Sequence, residues 1–234
     1  GIARWTSDFT PPTRQYSDRI LINNVDSYID NYTKLLLHFD GFDGVTNIPD
    51  YSPANHGNAT LGGTAQLDTT QSKFGGSSLL LDGDSDYITF PDSDDWDFGS
   101  GDFTVDCWVR IGKLPESTQY KTICSSYNAS TNQKGWSFRV GKGATALGWY
   151  FVGSSDGSTT TWLARFDDLN ITTNTWYHVA FVRQNKTLYC FRDGVLKGTT
   201  SLSTTTIYNS SSVLTVGAIG GPDLFWNGHI DELR

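Results

Sequence analysis

The sequence contains no methionine, and only two of its 25 acidic residues are glutamates, Glu116 and Glu232. Its acidity is therefore almost wholly aspartate, which favours turns and oxygen-ligand metal loops over helix interiors. No stretch approaches the roughly 18 consecutive apolar residues that a membrane span requires, and Gly1 to Tyr16 lacks the basic-then-apolar form of a signal peptide. Membrane insertion is not expected, and any export signal is expected outside this stretch. Basic residues number 17 and leave a formal net charge of -8, which argues against nucleic acid as a partner because phosphate binding rests on clustered Lys and Arg. There is no C-x-x-C pair for zinc or redox chemistry, no G-x-S-x-G, no P-loop and no dinucleotide fingerprint. Cys107, Cys124 and Cys190 read as three buried reduced thiols, the alternative being one disulfide plus a free thiol. Missing even at position 1, methionine is accounted for equally by an internal slice of a longer polypeptide or by a processed product.

What is present points to strands. Aromatics make up 14% of the 234 residues, Gly numbers 24, and Ser, Thr and Asn are abundant, a composition suited to short strands joined by tight polar turns. Residues 13–33 have no clean period and read as a connector, with a short helix or strand around Ile20 to Ile22. From Lys34 the pattern sharpens: LLLHF is a buried-strand run ending in DGFDG, and SSLLLDG and DYITFP follow as strand, turn and strand. FTVDCWVRI sets Phe103, Val105, Cys107 and Val109 on one face and Thr104, Asp106, Trp108 and Arg110 on the other. Nine further strands are expected between YKTICSSY and the closing NGHIDELR. About a dozen strands with little helix predict an all-β fold, a two-sheet antiparallel jelly-roll sandwich, with a closed barrel as the alternative.

TWYHVAFVRQNKTLYCFRDGVLKGTTSL, with KLLLHFDG, GSSLLLDGDSDYITF, DFTVDCWVRI and NGHIDELR in the same order, resembles the laminin-G-like jelly rolls of the concanavalin-A-like lectin and glucanase superfamily. The resemblance covers residues 34–234. In tandem modules similar to those of phage tail and virion proteins, a stretch like IDELR is followed closely by one like GIARWTSDFTPP. Residues 1–12 are accordingly expected to be either the tail of a preceding module or a segment that returns to its own last strand, and in both cases Trp5 and Phe9 need an apolar surface.

The resemblance raises catalysis first, since its laminarinase-like members carry an E-x-D-x-E strand. Nothing here matches: Glu116 and Glu232 are far apart and Asp106 is a lone acid, so a non-enzyme is expected. His178 reads as a packing position, His38 and His229 lie in the first and last strands, and His56 is isolated in a loop. The resemblance implies a structural Ca2+ held by Asp40 or Asp43 together with Asp231. The Asp92 to Asp97 cluster reads instead as turn caps. Glycan binding has the most physical sense on such a fold, because sugar rings stack on aromatic faces while polar groups take the hydroxyls. Tyr127, Trp136, Trp149, Tyr150 and Trp162, in turn-rich surroundings, are the candidate contacts, whereas Trp108 and Trp176 read as core or sheet-packing residues. In ALGWYFVG, either Trp149 or Tyr150 must face away from the core. Six N-x-S/T triplets, at Asn31, Asn58, Asn128, Asn170, Asn185 and Asn209, are open to glycosylation only in a eukaryotic secreted protein.

The expected role is a carbohydrate-binding or adhesion module, extracellular or on a virion surface, with cell-surface glycans or polysaccharide and neighbouring modules as partners. A structural spacer in a fibre or capsid, without a glycan site, is the alternative.

Overall fold

The alternation in FTVDCWVRI becomes strand β5, Phe103–Ile111, with Val105, Cys107 and Val109 buried in the core and Thr104 exposed on the opposite face. The computed structural model describes residues 30–143, 146–202 and 206–234, with the backbone alone at 161–163. The expectations for residues 1–12, including Trp5 and Phe9, and for the connector around Ile20 to Ile22 lie outside the described residues.

Two antiparallel sheets of seven strands form the sandwich. The first runs β1 (Thr60–Gly62), β4 (Tyr87–Phe90), β13 (Leu214–Val216), β6 (Tyr120–Asn128), β7 (Gln133–Lys142), β8 (Leu147–Gly153) and β9 (Thr161–Asp167). The second runs β12 (Val195–Ser201), β11 (Thr187–Arg192), β10 (Trp176–Gln184), β5, β14 (Asn227–Asp231), β3 (Ser78–Asp82) and β2 (Gln66–Asp68). The chain crosses repeatedly between sheets, as at β4 to β5, β5 to β6 and β9 to β10, which is the jelly-roll arrangement.

Facing residues of the two sheets make one core. Phe181 of β10 meets Phe138 of β7 edge-on at 4.9 Å and Phe151 of β8 at 5.5 Å. Burying each such ring contributes about 1.5–3 kcal/mol. All three cysteines are buried and unpaired with one another.

Two local readings need correction. LLLHF is not a ladder strand: only Leu37 bridges, exchanging both backbone hydrogen bonds with Leu233 at 2.8 and 3.0 Å. Its neighbour Leu36 donates its N–H to Asp50 Oδ1 at 3.0 Å and accepts from Tyr51 N–H at 2.9 Å, so the 50–52 loop takes the place of a strand partner. Strands β1 and β2, each three residues long, were not expected because TLG and QLD are too short to show a period. Beyond β14 the pairing continues with its register shifted by one residue at Glu232 (φ 49°), Asp106 and Arg234 exchanging backbone hydrogen bonds at 2.9 Å.

Candidate functional site

Aromatic side chains divide between the two faces of each sheet, and this decides which of them a ligand can reach. Trp149 is 0% exposed in the core, its Nε1–H donating to Asp168 Oδ2 at 3.2 Å. Trp136, also in the core, donates Nε1–H to the Trp96 carbonyl at 2.9 Å and stacks on Phe98. Neither is available to stack on a sugar. Tyr150 does turn to the outer face, as alternation requires, yet Tyr120 and Arg165 cover it and leave it 2% exposed. Tyr127 lies on the same outer face beneath the Arg139 guanidinium, 5.0 Å from its ring centroid, with its hydroxyl 2.7 Å from Thr160 Oγ1. The side chain of Trp162 lies outside the described residues. Trp108 and Trp176, read from sequence as core or sheet-packing residues, are half-buried on the outer face of the second sheet and not in the core; Trp108 packs there against Phe74 and His178, with Lys73 Nζ 4.0 Å above its ring, and Trp176 against His229.

The geometry that does suit a ligand lies at the rim. A cleft of about 330 Å³ opens between the β3–β4 turn, the start of β6 and the 223–225 segment, lined by Gln119, Tyr120, Lys121, Asp223, Leu224 and Phe225. Tyr120 and Phe225 are half-buried. The Tyr120 ring lies against Gly141 so closely that a Cβ there would come within 2.1 Å of it. Phe225 rests against Tyr87 with ring centroids 6.4 Å apart. Burial depresses the Lys121 ammonium below its ordinary pKa; Lys113 adds to that, and Asp223, Asp84 and Glu116 oppose it. Two supported rings, an amide, an ammonium and a carboxylate in one opening are what a saccharide needs: apolar faces for its C–H surface and mixed donors and acceptors for its hydroxyls. Sequence reading missed the cleft because its residues come from three segments remote in sequence; the adjacent Gln119-Tyr120-Lys121 triplet was its one local signal.

The acidic residues sort differently from one another. Asp231 is fully buried; its Oδ2 accepts from Lys73 and Phe74 N–H at 2.7 and 3.0 Å, while its Oδ1 has no partner. Burial pushes its pKa up to about 7, and Glu232 and Asp40 add to the rise. The Asp40 carboxylate presses on Gly75, where an added Cβ would overlap Oδ1 at 1.4 Å. A buried carboxylate oxygen without a donor, an Asp40 carboxylate whose charge reaches it, and a glycine leaving room beside that carboxylate fit a hard cation. Asp43 does not join them, since its Oδ1 accepts from Thr69 N–H at 3.3 Å on the surface. No group of three or more His, Cys, Asp or Glu suited to a metal occurs among the described residues, so backbone carbonyls would have to complete the shell. Asp82 Oδ1 accepts from the N–H groups of Asp84, Ser85 and Asp86 and so caps its turn, whereas in the 92–97 cluster the cap of the short 3-10 turn Asp94–Trp96 is Ser93, and Asp95 pairs with Lys34 and His56.

The histidines and glutamates are engaged separately. His38 Nδ1 pairs with Glu232 Oε1 at 2.9 Å, and Glu116 faces Lys113 at 3.7 Å. His178 Nε2 lies 3.3 Å from Asp106, which Arg234 also grips; His56 is not isolated but bridges to Asp95 at 3.1 Å. The two glutamates thus have different partners in different places, not the paired arrangement of a glycosidase. No helix among the described residues is long and apolar enough to cross a membrane.

A profile of the Laminin_G_3 family, of the concanavalin A-like lectin/glucanases superfamily, matches residues 82–234. Among solved structures, domain 4 of AbnA, an extracellular GH43 arabinanase from Geobacillus stearothermophilus solved with arabinotriose, is 22% identical. The match covers 86% of this chain and 90% of that domain with a TM-score of 0.58. The ligand-binding domain of botulinum neurotoxin serotype D in complex with N-acetylneuraminic acid is 17% identical over 87% of this chain, TM-score 0.60. The binding domain of Paraclostridial Mosquitocidal Protein 1 is 14% identical over 87%, TM-score 0.61. This chain spans about half of the two toxin domains, 47% and 48%. These likenesses are of fold. No curated protein matches the sequence.

Proposed function

The chain belongs to the concanavalin A-like lectin/glucanase superfamily through a laminin-G-like domain, and from that premise we propose that it is a non-catalytic carbohydrate-binding module that holds a saccharide in the rim cleft. The observation that carries this reading is the cleft itself, with Tyr120 and Phe225 half-buried around Gln119, Lys121 and Asp223. Its volume suits one or two sugar rings. Support for a saccharide also comes from the arabinotriose and N-acetylneuraminic acid that two proteins of similar fold were solved with.

The module works within a larger extracellular or virion-surface protein whose partners are cell-surface glycans or polysaccharide. The tail-fibre setting rests on the likeness of IDELR and GIARWTSDFTPP to tandem modules. A structural Ca2+ at Asp40 and Asp231 steadies the 73–75 loop against β14; the unpartnered Asp231 Oδ1 supports it. The residues that act on the ligand are those of the cleft: aromatic faces orient the sugar, and Gln119, Lys121 and Asp223 select its hydroxyl pattern. A screen of the folded protein against immobilised glycans, with calcium and again with a chelator, tests the reading. Binding to a defined sugar class supports it, and silence from the calcium-replete protein moves the function to a spacer or assembly domain.

A further inference from the structure

Lys121 and Asp223 bring opposite charges to one opening without pairing. Both line the rim cleft, and the field of Asp223 acts on the Lys121 ammonium, yet among the described residues neither enters an ion pair. Their free atoms are easily counted. Asp223 Oδ1 accepts from Leu224 N–H at 2.7 Å, which leaves Oδ2 able to accept from a ligand. The half-buried Lys121 ammonium makes no side-chain hydrogen bond among the described residues, so its N–H groups are left to donate.

The backbone holds these two groups in place. Thr118 and Leu224, on opposite walls of the cleft, have φ of 63° and 55°. A branched Thr and a Leu rarely adopt this left-handed region, and strain of this kind collects where a protein grips a ligand. Thr118 N–H donates to the Lys142 carbonyl and Thr122 N–H to the Leu224 carbonyl, both at 2.8 Å. The segment carrying Asp223 is thereby fastened to the strand carrying Lys121.

Charge decides what can bridge them. Asp223, Asp84 and Glu116 act on Lys121 against Lys113 alone, an excess of negative charge in a chain whose formal net charge is -8. That excess repels an acidic sugar, and Lys121 itself repels a cationic one. A neutral sugar satisfies both groups, one hydroxyl oxygen accepting from the ammonium while a neighbouring hydroxyl donates to the carboxylate. Hydrogen bonds with a charge at one end are the strong ones.

We propose that the rim cleft is selective for neutral saccharides, holding two adjacent hydroxyls of one sugar ring between Lys121 Nζ and Asp223 Oδ2 and excluding acidic sugars. This inference rests on the cleft reading and names the class of sugar it takes.

Calorimetric titration of the folded protein with neutral trisaccharides of glucose, mannose, galactose and arabinose, beside glucuronate and N-acetylneuraminate, tests it. The expected result is saturable binding of at least one neutral sugar and of neither acid, with an affinity that added salt leaves unchanged. Lys121→Met and Asp223→Asn each weaken that sugar about tenfold, and together they cost less than the two losses combined, because either change breaks the same bridge. Asp223→Asn keeps the oxygen that caps Leu224, so it decides the matter even where Lys121→Met fails to fold. An acidic ligand responds with the opposite sign, gaining affinity when the Asp223 charge is removed. Binding that Tyr120→Ala abolishes but Asp223→Asn strengthens or leaves equal keeps the cleft and overturns this inference. Binding that survives Tyr120→Ala, or no binding at all, defeats the cleft reading and this inference with it.

Discussion

Tyr120 meets Tyr150 edge-on, ring centroids 5.2 Å apart, so a buried ring of β8 props up a half-buried ring at the mouth of the cleft. The second support is Gly141, which lies flat against Tyr120 because it has no Cβ. Gly141→Ala drives a methyl group into the Tyr120 ring. Glycan affinity is expected to fall about tenfold, about 1.4 kcal/mol, and calorimetric titration beside a thermal melt checks that binding suffers more than folding.

If the proposed Ca2+ site at Asp40 and Asp231 is formed only in the folded chain, calcium is expected to stabilise the fold. At a free concentration about 100 times the dissociation constant, the gain is about 2.7 kcal/mol, or about 5–10 °C in melting temperature for a domain of this size. A chelator is expected to remove that increment from the wild type and from Asp43→Asn, and to leave Asp231→Asn unmoved. An unchanged wild-type melt under chelation contradicts the ion.

The division of tryptophans between faces predicts opposite outcomes for similar substitutions. Trp149→Ala empties a fully buried site and takes one donor from Asp168, which keeps Arg192 and Lys197, at a cost of about 3–5 kcal/mol. Trp108→Ala removes a half-buried ring under Lys73 and is expected to cost about 1 kcal/mol. Denaturant unfolding of the two variants measures both.

Beside Asp231, Asp97 supplies part of the pH dependence. Burial, with Asp92 and Asp94 nearby, pushes its carboxyl up to about 6 from an ordinary value of 3.8. A raised carboxyl stabilises the fold below its unfolded pKa, and that contribution is lost as pH rises through about 6. Melting curves from pH 4 to pH 7 are therefore expected to show a smaller loss in Asp97→Asn than in the wild type, the remainder coming from Asp231, whose carboxyl is raised to about 7.

The sandwich was legible because alternation in β5 and the turn residues around it are local signals. LLLHF misled because a buried apolar run looks the same whether its backbone meets a strand or, as Leu36 does, the Asp50 carboxylate and Tyr51. Alternation foresaw that one of Trp149 and Tyr150 turns outward. It carried no sign that Tyr120 and Arg165 would cover the outward one. Trp108 shows the converse, since its outward parity was visible while its half-buried state depends on Lys73 and Phe74 from a distant loop. The cleft was illegible because folding alone brings Tyr120 and Phe225 together across 105 residues.

The most direct test is titration of the glycan selected by the array into wild type, Tyr120→Ala and Phe225→Ala, each shown folded by its near-ultraviolet circular dichroism. The cleft account predicts a loss of about 1.4–3 kcal/mol for each substitution, a tenfold or greater fall in affinity. Full affinity in both variants would contradict it and put the saccharide elsewhere on the sandwich.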